Sequence, residues 1–74
     1  MHIHFIMDRT GDSRHEFDPD DVSALARAET HFRDLTSRGF RAVALGKHGE
    51  PGKLLTEFNR EADEVLFIPQ LQGG

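Results

Sequence analysis

The chain contains no cysteine. That absence excludes a disulfide framework, a thiolate metal site and a cysteine nucleophile, and leaves a hydrophobic core to hold the fold. Lysine is scarce too: Lys47 and Lys53 are the only two, and the formal net charge is −4. Nucleic acid and anionic membranes both require a clustered basic face, so neither is an expected partner. A protein or a small substrate fits this charge balance better. No apolar run approaches the length of a membrane span, and the start MHIHFIMDRTGD has neither the basic region nor the apolar stretch of an export signal. A cytoplasmic location is expected. With 74 residues there is room for one small domain, burying only about 60% of the surface its unfolded chain exposes.

Within those bounds the chain is well punctuated. HIHFIM sets Ile3, Phe5 and Met7 against His2, His4 and Ile6, the period of a strand with one buried face. The turn-rich DRTGDS and the short returning strand RHEF complete an N-terminal hairpin. The clearest local signals lie in FDPDDVSALARAETHFRDLTSRGF. Asp18 is placed to cap a helix, Pro19 suits its first position, and Asp20 and Asp21 put negative charge at the positive end of its dipole. Phe17 and Val22 have the spacing of a hydrophobic staple. Val22, Leu25, Ala28, Phe32 and Leu35 form one apolar stripe, and Gly39 can take the left-handed stop with Phe40 packing back on Leu35. The helix is expected to run for about 20 residues, or 30 Å.

FRAVAL, the loop GKHGEPG and KLLTEF read as a second hairpin, and NREAD as a further turn. In the last strand, EVLFIPQL, Val65 and Phe67 should face inward and Leu66 and Ile68 outward. Pro69 cannot donate to a ladder, so pairing should weaken there. The order is ββαβββ. A single helix covers one face of a sheet, which gives a two-layer α+β fold with a mixed sheet of four to five strands. Placing the last strand beside the first, both central, buries the most apolar chain; that arrangement is the β-grasp. Residues 1–69 form the expected domain and 70–74 a flexible tail.

The sequence ends in LQGG. With this element order, it resembles the ubiquitin-like proteins and the bacterial sulfur carriers. The tail is most similar to that of the small subunits of molybdopterin synthase: an acidic turn at Asp63 and Glu64, a hydrophobic strand over Val65 to Phe67, Ile68 and Pro69, then Gly73 and Gly74. It also resembles the end of ubiquitin, with Leu71 in the matching place and Gln70 and Gln72 where ubiquitin has arginines. Bacterial ubiquitin-like modifiers encoded beside activating enzymes are a third neighbour.

The resemblance implies a carrier or modifier and not an enzyme. In those families an ATP-dependent E1-like enzyme adenylates the C-terminal carboxylate, which then becomes a thiocarboxylate or passes through a thioester to an amine. Gly74 would be the reacting residue and Gly73 its sterically silent neighbour, since glycine has no Cβ to block approach to the carbonyl carbon. Leu71, Gln70 and Gln72 would be read by the partner. ATP would be used by that partner, and no cofactor or metal is expected in this chain. Further partners would be an E2-like or deconjugating enzyme, or a sulfur-accepting enzyme. Two lysines offer few sites for self-chain formation, which favours single attachment or sulfur transfer. Leu66 and Ile68 would form an apolar docking patch on the sheet. The alternative is a β-grasp module that only binds a protein partner, its glycines incidental.

Other features are weaker. GKHGEPGK fails as a phosphate loop, because Lys47 and Leu54 hold the positions that need Gly and Ser or Thr. His2 and His4 share a strand face, but no carboxylate or third histidine is placed with them, and solvated surface histidines are expected. Alternation that faces Phe17 inward turns His15 inward as well. Neither His31 nor His48 has a base-and-nucleophile context. Capping accounts for Asp18, Asp20 and Asp21.

Overall fold

The computed structural model describes residues 1–46 and 52–70. Over these, β1 (His2–Asp8), β2 (Gly11–Phe17), α1 (Val22–Ser37), β3 (Phe40–Ala44), β4 (Lys53–Leu55) and β5 (Glu64–Pro69) follow one another. The strands form one mixed sheet in the order β2-β1-β5-β3-β4. Strands β1 and β5 pair in parallel, and the other neighbours are antiparallel. The helix packs across one face. This is the expected α+β, β-grasp-like arrangement, with the last strand inserted beside the first. Among the described residues, no helix is long and apolar enough to cross a membrane.

The core lies between the sheet and the helix: Ile6, Val65, Phe67 and Ala42 from the strands meet Phe32 and Leu35, with Phe40, Leu55, Phe58 and Ala62 packed around them. Val65 and Phe67 face inward as expected. The face of β1 is the reverse of the expected one. His4 and Ile6 are buried, while Met7 is 42% exposed. Neighbouring strands share a face at paired positions, and the register sets His4 beside Val65 and Ile6 beside Phe67. The helix covers that side, so Ile3, Phe5 and Met7 fall on the uncovered one. His2 and His4 are therefore not solvated surface histidines.

The helix is shorter than expected, at 16 residues, and its cap is Asp21 instead of Asp18. Asp21 is extended, with φ −86° and ψ 109°, and its carboxylate accepts from the N–H groups of Ser23 and Ala24 at 3.0 and 3.2 Å. Asp18 is used one turn earlier. Its side chain accepts from the Asp20 N–H at 2.9 Å and its carbonyl from the Asp21 N–H at 3.1 Å, closing a turn with Pro19 inside it. That turn moves Val22 out to 82% exposure, so Phe17 and Val22 make no staple. At the other end Gly39 takes φ +96°, a left-handed value open to glycine, and stops the helix as expected.

Strand β2 is longer than RHEF and pairs with β1 along its whole length. Strand β4 is shorter than KLLTEF and ends at Leu55, which leaves Phe58 to turn into the core. Pairing holds as far as the end of β5: Phe40 lies opposite Pro69, and Gln70 supplies the next N–H, donating to the Gly39 carbonyl at 3.1 Å.

Candidate functional site

The sheet face away from the helix has no covering layer among the described residues. Its composition follows from the register. Ile3, Phe5 and Met7 of β1 lie beside Glu16, Arg14 and Asp12 of β2, and on the other side Ile3 and Phe5 meet Glu64 and Leu66 of β5. Leu66 and Ile68 in turn lie beside Val43 and Arg41 of β3, and Val43 beside Leu54 of β4. The centre of this open face is thus apolar on four adjacent strands, and its margins carry charge of both signs. Leu54 is 56% exposed and Ile68 39%. A shallow depression of about 370 Å³ lies between Phe5, Met7, Arg14, Leu45 and Leu66. The Arg14 guanidinium lies 5.8 Å from the centre of the Phe5 ring and pairs with Glu16 at 2.9 Å.

Of the expected site residues, Leu66 and Ile68 are on this face, Ile68 exposed and Leu66 half-buried between Phe5 and Val43. They form part of a larger apolar surface that also takes in Ile3, Phe5, Met7, Val43 and Leu54. The alternation in HIHFIM predicts its β1 members in the core. The Ile3, Phe5 and Met7 side is the more apolar of the two, yet the pairing partner of β1 decides which side is covered. Gln70 is held by its bond to Gly39 at the end of β5, next to Ile68. Leu71, Gln72, Gly73 and Gly74 lie outside the described residues, as do Lys47 and His48.

The covered face holds a second cluster. His4 is 2% exposed, with its ring 5.0, 5.1 and 6.2 Å from those of Phe17, Phe67 and Phe58 in edge-to-face contacts. Burial, then the charges of His31, His15 and His2, push its pKa down to about 4. His15 and His31 stack edge to face at 5.2 Å, which brings β2 and the helix together. Burial and the neighbouring His15 lower the His31 pKa, against an opposing pull from Asp34. His2 sets its Nε2 3.2 Å from Asp63 Oδ1. A metal would need three converging donors, and among the described residues no group of three His, Asp or Glu side chains is placed to hold an ion. Of these histidines His4 packs in the core, His2 and His31 are half-buried, and His15, on the helix side of β2, is exposed.

Against known protein families, curated proteins and solved structures, the chain shows no significant match.

Proposed function

We propose that this protein is a ubiquitin-like carrier or modifier that reacts through the carboxylate of Gly74. The observation that carries the reading is the combination of a β-grasp-like sheet with a last strand that leads, one residue past its bond to Gly39, into Leu71, Gln72, Gly73 and Gly74. A carboxylate is a poor electrophile until one oxygen becomes part of a leaving group. An E1-like enzyme supplies that step: the Gly74 carboxylate attacks the α-phosphorus of ATP, pyrophosphate departs, and an acyl adenylate remains. A sulfur nucleophile then displaces AMP to give a thiocarboxylate or a thioester, and an amine can take the acyl group from the thioester as an amide. The chain contributes two bare glycines that pass a narrow channel and Leu71 with its flanking glutamines as the segment to be read. The open sheet face beside Gln70, with Leu66 and Ile68, supplies the docking area. The catalytic groups and ATP belong to the partner.

Intact-mass measurement tests this reading. The protein is incubated with an activating enzyme from its own host, ATP and a sulfur donor, beside a chain lacking Gly74. An adenylate, thiocarboxylate or conjugate that is absent from the control supports the reading and identifies the branch. An unchanged mass with an enzyme shown to be active overturns it.

The breadth of the apolar sheet face favours one other reading, a β-grasp module that binds a protein partner without covalent chemistry. Deleting Gly74 separates the two, since the module keeps its partner and the carrier loses its product.

A further inference from the structure

We propose that a second copy of this chain docks on the open sheet face, the two sheets packing about a two-fold axis that runs along the strands between β1 and β5. The inference does not depend on the carrier reading. It begins from the strand order β2-β1-β5-β3-β4. An axis in that position lays β2 of one copy over β3 of the other, and β1 over β5, while keeping each residue at its own height along the strands.

The register fixes those heights. Met7 pairs with Asp12 on one side, and at the same end of the sheet Ile68 pairs with Arg41. Continuing the parallel β1–β5 register one residue past the Ile6–Phe67 pair, one row across the sheet reads Asp12, Met7, Ile68, Arg41. The two-fold reverses that row in the second copy. Asp12 then meets Arg41 twice, and Met7 meets Ile68 twice. In the next row Phe5 meets Leu66 of the second copy twice. The apolar centre thus falls on itself, and the row that runs from Asp12 to Arg41 is self-complementary in sign.

Two facts about that row single out this partner. Asp12 and Arg41 are both exposed, and neither has an ion-pair partner among the described residues, whereas Arg14 is already held by Glu16. Sheets packed face to face lie about 10 Å apart at about −30°, within reach of an arginine side chain at the margin. The four strands that overlap, β2, β1, β5 and β3, about 4.8 Å apart and some 20 Å long, present roughly 400 Å² in projection per copy. A pair covering about 800 Å² is below the usual size of stable specific interfaces, so the dimer should be weak, micromolar or weaker.

Sedimentation equilibrium of the full chain from about 1 µM to 1 mM tests this. The 8.4 kDa protein should pass reversibly from monomer to dimer across that range. Asp12→Arg and Arg41→Asp should each weaken self-association about 10-fold, because each sets two like pairs in place of two opposite ones. Mixing these two variants should restore a dimer of wild-type strength, since one copy then carries arginine at both positions and the other aspartate at both, and every facing pair is again opposite in sign. Both sites are exposed, and circular dichroism checks that the variants fold. As an independent readout, concentrating the wild type should shift the NMR signals of Phe5, Val43 and Leu66. A wild type that stays monomeric at 1 mM overturns the proposal. So do a dimer indifferent to both reversals, a mixture that fails to pair, and a dimer whose shifts are confined to the β2 edge.

Discussion

Enclosure by Phe17, Phe58 and Phe67 favours the neutral form of the His4 imidazole, and none of its ring contacts is an acid. The charged groups that face it make protonation harder. His31 on the helix, His15 on β2 and His2 on its own strand each oppose a positive charge on His4. Asp63 sits against His2, and Asp34 and Arg38 act on His31. The folded-state pKa of about 4 lies below the ordinary 6.5, so the unfolded chain binds the proton first. Stability is therefore undiminished above pH 6.5 and falls as the pH drops from there through 4. A gap of about 2.5 units corresponds to roughly 3 kcal/mol once the pH is below both values. His31 is shifted in the same direction and adds to the effect. Urea unfolding midpoints at pH 7 and pH 4.5 measure this, with His4→Leu as the comparison. The variant should lose much less stability on acidification than the wild type. Equal losses in the two proteins would mean that other groups carry the acid sensitivity.

At the scale of elements, the segment from Asp18 to Val22 shows how two adjacent local signals compete. Both Asp18 and Asp21 precede helix-forming sequence, and the proline between them favours the earlier start. Asp18 instead closes a turn through its side chain and its carbonyl, and the helix begins three residues later. Asp21→Ala should then cost about 1 kcal/mol, the usual loss of a cap. Val22→Ala should stay within about 0.5 kcal/mol, because Val22 packs against nothing that a staple would need. Thermal melts of the two variants check the assignment; a larger loss at Val22 would restore the earlier start.

This segment also indicates what a single sequence can specify. The helix stop at Gly39, the inward Val65 and Phe67 and the element order are legible because each is set by neighbours along the chain. The exact helix start requires knowing which of two carboxylates the turn will use. The orientation of β1 is out of reach for a stronger reason. His4 and Phe5 differ in polarity in the direction that favours burying Phe5, yet the choice is made by pairing with Val65 and Leu66, near the far end of the chain. The breadth of the open face is hidden for the same reason, since Ile3, Phe5 and Met7 cannot be both core and surface. Leu66 and Ile68 can be read as outward residues, but their apolar neighbours on β1 cannot.

For the molecule as a whole, the core lies on the helix side of the sheet and the apolar opposite face has no covering layer among the described residues, so that under the proposed reading stability and recognition are divided between the two. The residues that hold the fold are Phe32, Leu35, Val65 and Phe67, all nearly inaccessible. Under the proposed reading, the residues a partner would meet are on the opposite face or follow Gln70 in the sequence. Changes to either recognition element should therefore leave the fold intact and differ in what they do to a reaction at Gly74. Ile68→Arg, at a site 39% exposed, should shift the melting temperature by only a few degrees. Under the proposed docking role, away from the reacting atoms, it should raise the KM for an activating enzyme and leave kcat nearly unchanged, because it removes binding that is equal in ground and transition states. Removing Gly74 should abolish the product at any concentration of the chain. Pyrophosphate release measured against chain concentration distinguishes these outcomes. If Ile68→Arg leaves KM unchanged while the Gly74 deletion is inactive, the enzyme reads the tail alone and the open face serves another partner, for which the second copy of the chain is the one with matching charge.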